Sequence, residues 1–196
     1  MAGPKNDIAG IILAGGESRR MGRNKALLEI RGKKLIALAV EALRPFFKEL
    51  VVAGGSEEDY GFLGLPVLPD RAPGEGVFRG LISGLEQVAA PRALVTGCDM
   101  PFIRPALIEF MLSRPPASIV VPRVRGHFEP LFAVYSKRCL GPGRALLEQG
   151  EKRIQPLFER VETLIIEESA LRRHDPELRT FINLNRPEDL EKTNGL

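Results

Sequence analysis

Tryptophan is absent from this chain, tyrosine occurs twice, histidine twice and cysteine twice. With so few aromatics, and no basic run that interleaves with them, nothing resembles the stacking platform of a single-strand nucleic-acid binder. Cys98 and Cys139 are too few for a disulfide scaffold or a four-cysteine zinc site, and they suit a reducing cytoplasm. His127 and His174 stand alone, without partners at ligand spacing. No apolar run approaches the roughly 18 residues of a membrane span. The N-terminus carries Asp7 where an export signal would be basic, and the apolar run that follows ends in glycines, so it reads as a strand. Charge of one sign is also scarce. The balance of 28 basic and 25 acidic residues leaves +3, too small an excess to point to nucleic acid.

What is present suits one globular domain over residues 1–196. Hydrophobic residues make up 44% of the 196 and charged residues 27%, which excludes disorder as the main state. A chain this long buries roughly 70% of its unfolded surface and needs no staples. Apolar runs predict strands over 8–14, 50–53, 66–69, 93–96, 118–121, 131–135, 161–166 and 180–183. Amphipathic spacing predicts helices over 33–47, 78–89, 105–112 and 144–149, with a short one over 186–192. The first four strands are joined by helices or by connections too long for hairpins. This predicts an α/β fold in three layers, a mostly parallel sheet with helices on both faces. Arg125-Gly126-His127, between two strand signals, predicts a late antiparallel excursion.

In open α/β sheets, ligands bind beyond the carboxyl ends of the strands. Three segments fall there. The first is Leu13-Ala14-Gly15-Gly16-Glu17-Ser18-Arg19-Arg20-Met21-Gly22-Arg23-Asn24-Lys25. Its glycines let backbone N–H groups approach an anion, and four basic side chains in one loop suit a polyphosphate. It is neither GxGxxG nor GxxxxGK[ST]. The alternative is a glycine-rich turn with solvated arginines. The second is Thr96-Gly97-Cys98-Asp99-Met100-Pro101. Asp99 is placed either to hold a divalent cation, as magnesium takes one or two carboxylates plus substrate phosphates, or to form a turn or helix cap. The third runs from Pro69 and Asp70 through a Gly- and Pro-rich stretch to Gly80 and Leu81. It suits contact with a nucleoside; for Arg71 and Glu75 a plain surface loop is the better reading. Cys139 reads as a core thiol.

Together these residues resemble the MobA-type family, the molybdenum-cofactor guanylyltransferases. The family opening LAGGxSxRMGxDK stands here over residues 13–25, followed by Leu27-Leu28-Glu29 and Gly32-Lys33-Lys34. The CDxP turn is Cys98-Asp99-Met100-Pro101. A late Gly-Glu-x-Arg is Gly150-Glu151-Lys152-Arg153, and an NxNxPE ending is Asn183 to Glu188. The resemblance runs over residues 8–190. It implies a Rossmann-like nucleotidyltransferase fold and transfer of GMP from GTP to the terminal phosphate of the molybdenum-pterin cofactor, releasing pyrophosphate. It implies that Leu13, Ala14, Gly15 and Gly16 lie against the nucleotide and that Asp70 faces the nucleoside. Lys25, with Arg19, binds the outer phosphates, and Asp99 binds GTP and the one expected cofactor, Mg2+. Gly80 is the candidate for close approach to the base. GTP and the molybdenum-pterin cofactor are the expected partners, together with molybdoenzymes and other cofactor-assembly proteins; nucleic acid and membrane are not.

Three positions depart from the family pattern. Asn24 replaces an acid before the lysine, Ala53-Gly54 falls where an asparagine often contacts the nucleotide, and residues 74–80 replace Gly-Pro-Leu-Ala-Gly. The last two lie near base or sugar in the family. They leave open a relative that uses CTP or a sugar-phosphate acceptor, and a GTP-binding protein that delivers cofactor without catalysis.

Overall fold

The computed structural model describes residues 7–15, 24–30, 32–69 and 76–184. Among the described residues, ten strands and six α-helices follow one another. The first is β1 (Ile8–Leu13), then a short hairpin of β2 (Glu29–Ile30) and β3 (Lys33–Lys34), α1 (Leu35–Leu43) and β4 (Leu50–Ala53). Next come α2 (Glu57–Tyr60), β5 (Val67–Leu68), α3 (Val77–Gln87), β6 (Arg92–Gly97) and α4 (Pro105–Leu112). The last third holds β7 (Ile119–Val124), β8 (His127–Phe128), β9 (Phe132–Ser136), α5 (Leu140–Glu148), β10 (Thr163–Glu167) and α6 (Glu168–Leu171).

The main sheet runs in the order β10-β7-β9-β6-β1-β4-β5, with β8 paired to β7. Pairings β6–β1, β1–β4, β4–β5 and β10–β7 are parallel, while β9 is antiparallel to both its neighbours. The late excursion is therefore present: β7 turns through Arg125 and Gly126 into β8, and β9 then enters the sheet reversed.

β1 shows why the sheet is central. All six of its residues are buried. Ile8 and Ile12 face one layer, with Ile36, Val40 and Leu43 of α1 and Leu107, Ile108 and Met111 of α4. Ala9, Ile11 and Leu13 face the other, with Phe78, Leu81 and Leu85 of α3 and Leu146 of α5. A continuous apolar run is what a strand covered on both faces requires. Gly84 brings α3 close to the sheet: a Cβ there would stand 3.2 Å from both Ala53 Cβ and Ile11 Cγ2.

Several boundaries differ from expectation. The strand expected over 180–183 is a 3-10 turn, Arg179–Phe181, followed by non-strand chain. Buried Asp175 accepts from the backbone N–H of both Arg179 and Thr180, and Thr180 Oγ1 accepts from Arg104 N at the start of α4. Those polar contacts outcompete a ladder. α5 begins at Leu140 rather than Arg144, because Pro142 falls in the first turn, where a missing N–H costs nothing. α1 stops at Leu43, and residues 44–46 form a turn. The helix expected over 186–192 lies outside the described residues.

Candidate functional site

The carboxyl ends of β1, β4 and β6 converge. Ala14 N donates to Ala53 O (2.9 Å), Cys98 N to Leu13 O (3.1 Å), and Gly54 N to Leu68 O (2.9 Å). Gly54 has φ +93°, and a Cβ on it would stand 2.5 Å from Gly15 N. Only glycine fits this crossing, so Gly54, one of the two positions where the family's asparagine could fall, is fixed by backbone contact with Gly15.

Beside this crossing lies a small pocket lined by Leu13, Gly15, Ala53, Gly54, Gly76, Val77 and Gly80. Gly76, the N-cap of α3, has φ +87° and no side chain to cap with, so the helix opens toward the pocket with its first N–H groups uncapped by a side chain. A Cβ on Gly80 would meet only Leu13 Cδ2, at 3.7 Å. The room in front of Gly80 is therefore pocket space. The Gly-Glu-x-Arg segment adjoins the same helix start, with Lys152 O 3.9 Å from the Cβ position of Gly76. There the Glu151 carboxylate accepts from the backbone N–H of Lys152 and Arg153 and from the Arg153 guanidinium. Those hydrogen bonds hold its pKa down at about 2.

The polar centre is an ion pair. Lys25 Nζ lies 2.7 Å from Asp99 Oδ2, with the two side chains 15% and 19% exposed. Asp99 does not cap a helix, since the N-cap of α4 is Arg104. Its other oxygen, Oδ1, lies 2.5 Å from where a Cβ of Gly97 would be, so the carboxylate occupies space that any other residue at 97 would fill. Burial, with the Asp99 charge beside it, pushes the Cys98 thiol up to about 12, so this cysteine is neutral and no nucleophile. Cys139 is fully buried in the core. The NxN ending also reaches the site: Leu184 N donates to Asp99 O (3.1 Å), which sets Asn183 next to the Asp99 turn.

Among the described residues no three His, Cys, Asp or Glu side chains gather as a metal cage. The donor set suits a hard cation held by one carboxylate and completed by substrate phosphates, which is how magnesium is commonly bound. Asp99 fits that role.

The structure thus brings together Leu13, Gly15 and Gly80 around the pocket, with Lys25 and Asp99 at the same edge of the sheet; Ala14 is not among the residues that line it. Gly16, Arg19 and Asp70 lie outside the described residues. Sequence reasoning missed Tyr60, whose phenol contacts both Ala14 and Asn24. It also missed the structural demands on Gly54 and Gly97. A lone tyrosine after Gly-Gly carries no motif, so only the fold could place it.

Comparison with known proteins shows the family of the chain. The MobA-like NTP transferase domain family matches residues 10–164. A probable molybdenum cofactor guanylyltransferase of Pelotomaculum thermopropionicum is 39% identical, over 93% of this chain and 90% of that protein. One from Natranaerobius thermophilus is 34% identical, over 95% of each. The crystal structure of molybdopterin-guanine dinucleotide biosynthesis protein A from Archaeoglobus fulgidus superimposes with a TM-score of 0.81 at 27% identity, covering 95% of this chain and 97% of that one. The 2-C-methyl-D-erythritol 4-phosphate cytidylyltransferase of Thermus thermophilus shares the fold, with a TM-score of 0.67 at 18% identity over 94% and 96%. With a loop-borne lysine set against an acid at the end of β6, beside a pocket at the start of α3, the chain belongs to the MobA-like family of nucleotidyltransferases.

Proposed function

We propose that this protein transfers GMP from GTP to the terminal phosphate of the molybdenum-pterin cofactor, releasing pyrophosphate, and that it requires Mg2+. The carrying observation is the Lys25–Asp99 pair at the carboxyl edge of β1 and β6, next to the pocket of Leu13, Gly15 and Gly80. The curated relatives named as molybdenum cofactor guanylyltransferases, matched over more than nine-tenths of the chain, support the choice of donor and acceptor.

The reaction is an in-line attack of a phosphate oxygen on the α-phosphorus of GTP. Attacker and target are both anions, so charge is the main obstacle. Magnesium would supply neutralisation of the charge that develops on the phosphates. Asp99 supplies its protein ligand. Lys25 faces the outer phosphates and stabilises the departing pyrophosphate, with Arg19 of the adjoining loop in the same role. Without nucleotide the two charges pair with each other. An incoming triphosphate with its cation exchanges partners with both, so neither charge is left bare in a partly buried site. The acceptor phosphate is already ionised near neutral pH and needs no protein base, and the neutral Cys98 thiol supplies none. The bound reactants are then held in line, which is where the remaining rate enhancement arises. The two cysteines, both free thiols, suit a reducing cytoplasm.

Magnesium titration of pyrophosphate release, with GTP and molybdenum-pterin cofactor, tests this reading. Turnover should rise from near zero with magnesium, and the Asp99→Asn protein should stay near zero at every concentration. Full turnover in excess chelator would remove the metal role.

A further inference from the structure

Tyr60 is fully buried although it lies on a surface connection after β4. Its phenol oxygen is 3.2 Å from Ala14 O and 3.0 Å from Asn24 Nδ2. Ala14 and Asn24 are the two ends of the glycine- and arginine-rich loop. Gly55, φ +86°, makes room for the ring: a Cβ there would overlap the aromatic edge of Tyr60. The Gly-Gly after β4 therefore serves two contacts, Gly54 against the backbone of Gly15 and Gly55 against the tyrosine.

Asn24 passes the contact on. Its side-chain oxygen accepts from Ala26 N (3.2 Å) and caps the 3-10 turn Lys25–Leu27, whose first residue is the lysine paired with Asp99. That oxygen also stands 3.1 Å from the phenol, but a phenol has one proton. With the proton on Ala14 O, the carboxamide NH2 donates to the phenol and the carboxamide oxygen is left for Ala26. A carboxylate has no proton to give. An aspartate at 24 would draw the phenolic proton to itself and away from Ala14. The departure from the family's acid at this position is thus matched to Tyr60.

We infer that Tyr60 and Asn24 are positioning residues for Lys25: the phenol ties the two ends of the loop together, and the carboxamide transmits that constraint to the turn that aims the ammonium. The inference rests on the reading of Lys25 as the ligand of the nucleotide's outer phosphates.

Tyr60→Phe removes the hydroxyl and keeps the ring, and Asn24→Asp keeps the shape and removes the donor. Both should fold. Backbone hydrogen exchange at Ala26 and calorimetric affinities for GTP and GMP are measured for each, alone and combined with Lys25→Met. Expected are exchange at Ala26 about tenfold faster, GTP affinity about tenfold weaker, GMP affinity changed less than threefold, and no further GTP loss on the Lys25→Met background. Equal losses for GTP and GMP, or an undiminished GTP loss without Lys25, would show a general structural role and overturn the inference. Should the wild-type protein bind no GTP, the guanylyl reading fails by itself. Exchange at Ala26 then decides the clamp, and unchanged exchange in Tyr60→Phe rejects it.

Discussion

Lys25 and Asp99, 74 residues apart in the chain, meet through a 2.7 Å ion pair across the carboxyl edge of the sheet. Each is the other's counter-charge before nucleotide arrives. A substitution at either one therefore has two consequences, a lost ligand contact and the loss of this ion pair for its neighbour.

Asp99→Asn should keep the fold and lower turnover at least about a hundredfold, as removal of a single charge-stabilising group in a site does. The amide fits beside Gly97 but lacks the charge proposed to hold magnesium. Steady-state pyrophosphate release and a thermal melt on the same preparation check this. Retention of more than a few per cent of turnover at ordinary magnesium would mean that Asp99 is not the metal ligand.

Lys25→Met should weaken GTP about ten- to hundredfold and GMP far less, because hydrogen bonds to charged groups are worth about 1.5–3 kcal/mol and GMP lacks the outer phosphates. Calorimetry with both nucleotides reads the difference. Equal losses would assign Lys25 to loop support.

Two glycines of the pocket should respond in opposite ways. Gly54→Ala puts a Cβ 2.5 Å from Gly15 N at φ +93° and should cost about 3 kcal/mol of stability. Gly80→Ala meets only Leu13 Cδ2, at 3.7 Å, within a helix, and should leave stability unchanged or raise it by up to about 1 kcal/mol. Gly80→Leu should fold, fill the pocket and weaken GTP. Denaturant melts and nucleotide titrations separate these outcomes, and unimpaired GTP binding by Gly80→Leu would place the base elsewhere.

Glu129 lies at the entry to β9, two residues before Leu131, whose carbonyl accepts from Gly97 N. Burial raises its pKa from 4.5 to about 7. The folded protein therefore holds the proton more tightly than the unfolded chain. That contribution to stability is complete below pH 4.5, falls as pH rises to about 7, and is absent above. Glu129→Gln should accordingly stabilise the protein at pH 8 by about 1 kcal/mol, allowing for solvent screening of a partly buried group, and have little effect at pH 4. Melts at the two pH values compare directly, and an equal effect at both would contradict the burial argument.

The parallel sheet was legible because β1, β4 and β6 are apolar throughout and are separated by helix-length segments. The reversed β9 was legible from the turn at Arg125–Gly126. Residues 180–183 read as a strand in sequence because Thr-Phe-Ile looks extended. What holds them is a buried carboxylate, Asp175, that periodicity does not register. The start of α5 is hidden in the sequence because Gly-Pro-Gly reads as punctuation, although proline is harmless in a first turn. At the site, Lys25 and Asp99 followed from glycine, charge and strand-end placement. Their mutual contact did not, nor did Tyr60, since both depend on pairing across the sheet.

The central claim is guanylyl transfer onto the molybdenum-pterin cofactor. Its most direct test is mass analysis of the products formed from that cofactor and an equimolar mixture of GTP, CTP, ATP and UTP with magnesium. The account predicts a guanine dinucleotide and an equal amount of pyrophosphate, with at least a tenfold excess over any other dinucleotide. A predominant cytosine dinucleotide, or bound GTP with no new phosphoanhydride, would contradict it.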